Sequence, residues 1–422
     1  MRINSFNLQS LTMLNLLTRK ASLALVFGLF FITSCSSLNK TESTTINPSD
    51  PGPLEQIENI NEIIEQSGPN ESLILRKAEL FVEAAQNIPL PSSRKPLYRN
   101  ARNTLNEGAA RFNNRAQEFN QILTDAWSFE HNSGVRLLQT RINGSRSEQS
   151  FDQAIEHLEN AIIIQPDSLS SYNVLSTAYY SNGLYTSAEE TLNKLLEVNP
   201  DPDRVAAIHE KLAFIYLESG DTDKSVSKYE ELQIENSSSI TIKHGLINAY
   251  ILDNQPEKAA QQLQLLADEY PDRVTYLESL ASVRYQLFET GIETLLGGDG
   301  ASVNINPGIE NLISQLNEIK LIYDNLSENS LLDEESIYNA AGYHTNGAAY
   351  LQDLKKSIDL SGSISELIDE TEVKLLESSL VYWEQLVDLN PDNIEYLYTL
   401  YTLYTRLEMF EEAESLEQSY NF

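Results

Sequence analysis

The apolar, aromatic and small residues between Tyr172 and Pro271 follow one pattern that occurs three times. Its positions recur after 37 and then after 34 residues. A fixed period in the thirties, with these residue types in register, is typical of stacked helical hairpins that bury their apolar faces against their neighbours. The recurring sets are Leu175, Leu212 and Leu246; Tyr179, Tyr216 and Tyr250; and Ala188, Ser225 and Ala259.

Apolar residues at helical spacing continue on both sides of these three copies. Residues 54–126 predict helices with one degenerate copy, and Val274 to Leu296 and Ile309 to Leu326 predict two further amphipathic helices. A last hairpin is predicted from Asn393 to Asn421, where Tyr396 and Tyr398 are expected either to be exposed or to be partly buried in a capping helix. No strand-forming alternation interrupts these patterns, so the sequence predicts an all-α fold.

The spacing of Leu175, Ser176, Tyr179 and Ala188 resembles the tetratricopeptide repeat family. Later copies depart from that family, because Ser237 stands where Pro is expected and Ile247 where a small residue is expected. The resemblance implies a right-handed superhelical solenoid of helical hairpins, with degenerate repeats at the N-terminus and an irregular helical insertion near 290–340.

The sequence divides into six segments on this basis. They are a signal peptide at 1–34, a lipidated cysteine and flexible tether at 35–53, an N-terminal helical region with a degenerate repeat at 54–126, tetratricopeptide repeats at 127–290, an irregular helical insertion at 291–341, and C-terminal repeat-like helices with a cap at 342–422.

The N-terminal segment has the form of a targeting signal. Arg19 and Lys20 precede an apolar run from Ala21 to Ile32, which is too short to span a bilayer. The run leads into Cys35, and this ending resembles a bacterial lipoprotein signal, in which cleavage precedes the cysteine and lipid is attached to its thiol. The alternatives are an uncleaved anchor or an ordinary secretory signal with an incidental cysteine.

The resemblance to lipoproteins implies attachment to a membrane of the bacterial cell envelope through several acyl chains on Cys35. Ser36 follows Cys35, and by the sorting rule of Gram-negative lipoproteins this favours the outer membrane, facing the periplasm. Cys35 is the single cysteine of the chain, so no disulfide can form within it.

The net charge of −33 is unevenly distributed along the chain. Residues 1–127 carry 12 basic and 12 acidic residues, whereas residues 128–422 carry 17 basic and 50 acidic ones. The negative electrostatic field of residues 128–422 repels nucleic acid and favours basic protein partners or divalent cations. A solvated acidic surface, as in a salt-tolerant organism, is the alternative interpretation.

The candidate catalytic and metal-binding motifs in the sequence lack residues at the spacing that each motif requires. His209 and Glu210 begin a zinc-protease motif, but Ala213 stands where the second His is required. The run Gly297–Gly300 lacks the Lys and Ser/Thr of a phosphate-binding loop. We therefore expect a protein without enzymatic activity, cofactor or metal.

The family resemblance also implies a concave binding groove lined by the first helix of each repeat. The Lys and Arg residues with which some family members hold a terminal carboxylate are missing from the matching positions, which disfavours a carboxylate-ended ligand. His131 and His344 occupy equivalent positions in flanking copies; a repeated ancestral residue explains this equally well. Tolerated surface residues are the alternative to a groove. The residues at the matching positions are Asn173, Thr177, Tyr180, Glu210, Phe214, Leu217, His244, Asn248 and Ile251.

Together these features predict a lipid-anchored envelope scaffold or adaptor that binds protein or peptide partners through a tetratricopeptide groove. The alternative is a lipoprotein that captures a glycan or a small solute in a pocket at the irregular insertion.

Overall fold

The computed structural model describes residues 51–112, 115–142, 148–198, 202–297, 305–329, 331–358 and 360–420. The predicted signal peptide, Cys35, most of the tether and Gly298–Gly300 lie outside these ranges. Every regular element within them is a helix, which confirms the predicted all-α, helical-hairpin fold. The described residues up to Leu232 form one compact unit and those from Gln233 onward form a second, which we call the N-terminal and C-terminal units.

The following helices begin in the N-terminal unit. They are α1 (Pro53–Ser67), α2 (Glu71–Gln86), a short 3-10 helix (Pro91–Arg94), α3 (Lys95–Arg111), α4 (Ala116–Ile142), α5 (Glu148–Ile164), α6 (Leu169–Ser181), α7 (Tyr185–Val198), α8 (Pro202–Ser219) and α9 (Thr222–Glu235).

The helices of the C-terminal unit include several that are longer than those of the three recurring copies. They are α10 (Ile240–Leu252), α11 (Pro256–Glu269), α12 (Val274–Gly297), α13 (Asn306–Glu328), α14 (Glu334–Ser357), α15 (Gly362–Leu389), α16 (Ile394–Arg406) and α17 (Phe410–Tyr420). Within the described ranges, no helix is long and apolar enough to cross a membrane.

Left-handed residues end the first helix of each recurring hairpin. Gly183 and Gly220 have φ of 73° and 84°, and Asn254 occupies the same place in the third copy with φ 55°. In the last hairpin Glu408 takes this place with φ 57°. In each of these turns, the carbonyl oxygen of a tyrosine accepts a hydrogen bond from the backbone N–H group five residues later. The pairs, with the donor first, are Leu184 and Tyr179, Asp221 and Tyr216, Gln255 and Tyr250, and Met409 and Tyr404.

The same tyrosines also connect helices through their hydroxyl groups. Tyr179 donates to Glu159 Oε1 at 2.7 Å, and Tyr216 donates to Glu189 Oε1 at 2.9 Å. A charge-assisted hydrogen bond of this kind is shorter and stronger than a neutral one. The tyrosine of the repeat therefore fills space with its ring and fixes a neighbouring helix with its hydroxyl.

A buried polar cluster joins the 3-10 helix and α3 to the first hairpin, α4 and α5. Glu130 is fully buried and accepts hydrogen bonds from Arg94 at 2.9 Å, Tyr98 at 2.6 Å and His157 at 2.5 Å. Burial alone raises the pKa of Glu130, but the hydrogen bonds from His157, Tyr98 and Arg94 outweigh it and lower that pKa below its usual value. The N-terminal helices are thus tied to the repeats by a satisfied buried charge.

Three of the five boundaries between the predicted segments fall well inside continuous helices. The boundary after 126 lies within α4, that after 290 lies within α12, and that after 341 lies within α14. In the C-terminal unit the insertion contributes helix α13, whose apolar face, including Leu316 and Tyr323, is buried in the core beside Trp383.

The helices of the first hairpin cross closely at Gly134. A Cβ at this position would lie 2.7 Å from Leu158 Cγ and 3.0 Å from the carbonyl oxygen of Ala154. Both neighbours are fully buried, so neither can move aside without disturbing the core. Glycine is required at this position because the backbone of α4 packs directly against α5, which leaves no space for a Cβ atom.

We expect Gly134→Ala to lower the free energy of unfolding by about 1 to 3 kcal/mol, because overpacking outweighs the usual helix-forming advantage of alanine. Chemical denaturation measures this. Gly362→Ala is the matched control, since a Cβ there meets nothing within 4 Å. An equal effect of the two substitutions would contradict the close crossing.

Candidate functional site

The predicted groove residues are distributed between the two units. Six of them lie on α6 and α8 of the N-terminal unit, and His244, Asn248 and Ile251 lie on α10 of the C-terminal unit. The side chains of Phe214, Leu217 and Asn248 are buried, with exposed fractions of 5 %, 7 % and 7 %, so they pack inside the protein. The remaining six are partly exposed.

A lysine that was not predicted from the sequence lies between α6 and α8, with most of its side chain buried. Lys211 on α8 donates a hydrogen bond from Nζ to Asn173 Oδ1 on α6. Its exposed fraction is 9 %, and burial lowers the pKa of Lys211 to about 8, against a smaller raising effect of Glu210. The signal in the sequence was its place between Glu210 and the core residue Leu212 on a buried helix.

Glu210 completes the polar end of this surface. Burial raises the pKa of Glu210, while the positive charge of Lys211 opposes the rise. The hydroxyl of Thr177 donates to the carbonyl oxygen of Asn173 at 2.9 Å, so it is already hydrogen-bonded within α6. The polar end therefore offers an amine, an amide and a carboxyl group whose hydration is already reduced.

The other end of the same surface is aromatic. The ring of Tyr180 lies 5.5 Å from that of Phe214 and 5.9 Å from that of Tyr185, in the tilted arrangement that aromatic pairs prefer. Leu184, in the turn between α6 and α7, is 44 % exposed beside them. We call the set Asn173, Lys211, Glu210, Tyr180, Leu184 and Tyr185 the α6–α8 surface.

On α10 the predicted residue His244 is used to join helices. Its Nε2 lies 2.9 Å from the hydroxyl oxygen of Tyr276 on α12, and burial lowers the pKa of His244. Asn173 and Lys211 make the equivalent connection between α6 and α8. Residues at this position of the repeat thus hydrogen-bond to the first helix of the following hairpin.

His131 follows the same rule, with a geometry that superficially resembles a catalytic pair. Its Nδ1 lies 3.0 Å from Ser171 Oγ, and its ring stacks on Trp127 at 5.0 Å. Ser171 is fully buried, and its oxygen accepts hydrogen bonds from Trp127 at 2.9 Å and Ser168 at 3.0 Å. A serine so enclosed cannot reach a substrate, so the pair is a structural connection.

His344, which matches His131 in sequence, is not a groove residue. It is 1 % exposed, its Nδ1 lies 2.5 Å from the carbonyl oxygen of Ala340, and its Nε2 has no hydrogen-bond partner among the described residues. Burial lowers the pKa of His344 to about 4. The described ranges also contain no group of His, Cys, Asp and Glu side chains that could hold a metal ion.

Comparison with known proteins found one family match. Residues 146–212 match the model of a tetratricopeptide repeat, within the segment where the sequence predicts the repeats. These residues therefore resemble tetratricopeptide repeats in both sequence and helical-hairpin fold. No curated protein matches the sequence.

Three solved structures are among those that match this chain. The C-terminal part of a tetratricopeptide protein from Cytophaga hutchinsonii is 9 % identical, with 82 % of this chain and 94 % of that chain covered and a TM-score of 0.38. Pseudomonas aeruginosa PilF is 13 % identical, with 66 % and 97 % covered and a TM-score of 0.35. A tetratricopeptide repeat protein from Parabacteroides merdae is 13 % identical, with 76 % and 98 % covered and a TM-score of 0.30. Similarity at this level assigns the chain no partner.

The burial of His344 predicts a specific acid sensitivity of the C-terminal unit. Its folded pKa of about 4 lies below the value of about 6.5 for an unfolded histidine, so the unfolded state binds the proton first as the pH falls. Stability is complete above about pH 6.5 and declines toward pH 4, by about 3 kcal/mol from this residue.

We expect His344→Gln to remove most of this decline, because an amide does not titrate. Denaturation followed by the fluorescence of buried Trp383, in a Trp127→Phe background, measures it at both pH values. If the variant lost as much stability as the parent, the decline would belong to other groups and the assignment to His344 would be wrong.

Proposed function

We propose that the protein is a non-catalytic scaffold that binds protein or peptide partners through the α6–α8 surface. Tetratricopeptide repeat proteins generally mediate interactions between proteins. The observation that carries the proposal is the juxtaposition of a polar end, at Lys211 and Asn173, with an aromatic end, at Tyr180 and Leu184. A partner can satisfy both ends with one short segment.

The spacing of these ends defines the segment. Asn173 and Tyr180 are seven residues apart on one helix, which corresponds to about 10 Å at a rise of about 1.5 Å per residue. An extended chain covers that length in about three residues. The preferred partner therefore carries a large apolar side chain about three residues from an acceptor group that faces Lys211.

Burial makes these contacts effective. Lys211 and Glu210 are already partly removed from water, so a hydrogen bond to either of them gains strength from the low local dielectric. Tyr180 and Tyr185 present rigid rings, which lose little conformational entropy when a partner covers them. Aromatic anchors of this kind dominate the energy of many interfaces.

We expect Tyr180→Ser combined with Leu184→Ser to remove the specific partners that crosslink to the full-length protein in its native cell. Their identification by mass spectrometry measures this, and Lys211→Met should weaken the same set. Leu54→Ser on α1 is the matched control, since Leu54 is an exposed apolar residue of the same unit. A partner set unchanged by the double substitution would refute the surface.

We also propose that the protein is located in the bacterial cell envelope. The ending at Cys35 supports a lipid anchor, the residue Ser36 supports the outer membrane, and the polar residues up to Pro53 support a flexible connection to the folded units. On this proposal the scaffold is held at the periplasmic side of the outer membrane, close to envelope partners.

We expect Cys35→Ser to move the protein from the membrane fraction to the soluble fraction, because the acyl chains are attached to this thiol. Fractionation of cells expressing each form, followed by immunoblotting, measures the distribution. Ser36→Ala serves as the control that keeps the thiol. Membrane association that persists without Cys35 would exclude the anchor and leave the α6–α8 surface untouched.

A further inference from the structure

Helix α16 of the C-terminal unit exposes two large apolar side chains on one face. Ile394 is 74 % exposed and Tyr398 is 49 % exposed, and their separation by four residues places them one helical turn apart. The opposite side of α16 is buried, with Leu397, Leu400 and Leu403 in the core. We call the exposed side, with its flanking Glu395, the α16 face.

The surroundings of this face are anionic. Residues 375–405 contain five acidic residues and no Lys or Arg. Helix α14 also carries Glu334 and Glu335, both exposed, and its first cation is Lys355, near the opposite end. Glu334 approaches the start of α16, because its Oε1 accepts a hydrogen bond at 2.6 Å from Asn390 in the preceding turn.

The one carboxylate on the face itself is held in place. Burial raises the pKa of Tyr338 on α14, and the nearby negative charge of Glu395 raises it further. The ring of Tyr338 lies 6.0 Å from that of Tyr396, which in turn lies 5.7 Å from the buried Trp383. The face is therefore a rigid apolar ridge with fixed negative charge at its edge.

We propose that the α16 face binds a cationic amphipathic helix of a partner protein. Its apolar stripe packs against Ile394 and Tyr398, and its Lys or Arg side chains meet Glu395 and Asp392. Charge selects this occupant, since a second copy of this chain, a nucleic acid or an anionic lipid surface would bring negative charge to an anionic face. A side-chain ridge with a spacing of four residues also matches the groove of another helix.

This inference goes beyond the proposed function, because it concerns the other unit and the opposite chemistry. The α6–α8 surface offers Lys211 to an acceptor group, whereas the α16 face offers carboxylates to cations. The experiment can refute the proposal for either surface without refuting the proposal for the other.

The test uses a dye-labelled synthetic helix with leucines on one face and lysines on the others, and the full-length protein in detergent. Fluorescence anisotropy should show binding that weakens as salt rises, and an analogue with Glu in place of Lys should not bind. Ile394→Ser combined with Tyr398→Ser should reduce affinity at least tenfold, and Glu395→Lys should reduce it too. Circular dichroism verifies that the variants remain folded, as expected for exposed positions.

Leu321→Ser on α13 is the matched control, because Leu321 is 66 % exposed in the same unit and distant in sequence. Its affinity for the lysine peptide should equal that of the parent. Three results would overturn the proposal: no binding of the lysine peptide, equal binding by the Ile394/Tyr398 double variant, or an equal loss with Leu321→Ser. The second of these would indicate only general attraction to an acidic protein.

Discussion

The close approach of the two helices within each hairpin is the constraint on which the rest of the structure depends. Residues at the crossing points must be small, because a larger side chain would separate the helices and expose the apolar faces on both sides. In one hairpin Ser225 also donates from its hydroxyl to the carbonyl oxygen of Ala213 at 2.9 Å. At the recurring small position of the second helix, the fully buried residues are Ala154, Ala188, Ser225 and Ala259.

The close crossing of the two helices in a hairpin also determines which hydrogen bonds the tyrosines and the first helices can form. With the hairpins tight, Tyr179 and Tyr216 reach a glutamate on a neighbouring helix, and their carbonyls accept the bonds that close the turns. The first helices then lie side by side, near enough for Asn173 to meet Lys211. A binding surface results only at the side chains that these connections leave partly exposed, such as Tyr180.

Periodicity in the sequence was sufficient to predict the helices and the repeats, because both follow from local chemistry. Asn254 was not recognised as the third turn, although asparagine tolerates positive φ better than most residues. The predicted segment boundaries at 126, 290 and 341 lie within helices, since α4, α12 and α14 run longer than the helices of the regular copies.

The candidate surface was harder to predict, because burial depends on packing that a repeat pattern does not contain. Phe214 occupies a groove position of the family, yet it is buried beside Tyr180. His344 matches His131 in sequence, but α13 and α15 enclose α14, so the same residue type becomes fully buried. Lys211 was overlooked because its importance comes from Asn173, thirty-eight residues away in sequence.

The central claim is that this is a protein-binding scaffold whose contacts are made at defined surfaces. A photo-activated crosslinking amino acid placed at Tyr180, in the full-length protein in its native cell, tests it most directly, with Leu54 as the reference position in the same unit. The account predicts a discrete crosslinked protein at Tyr180 that is absent at Leu54. Crosslinks of equal yield and identity at both positions, or none at Tyr180, would contradict it.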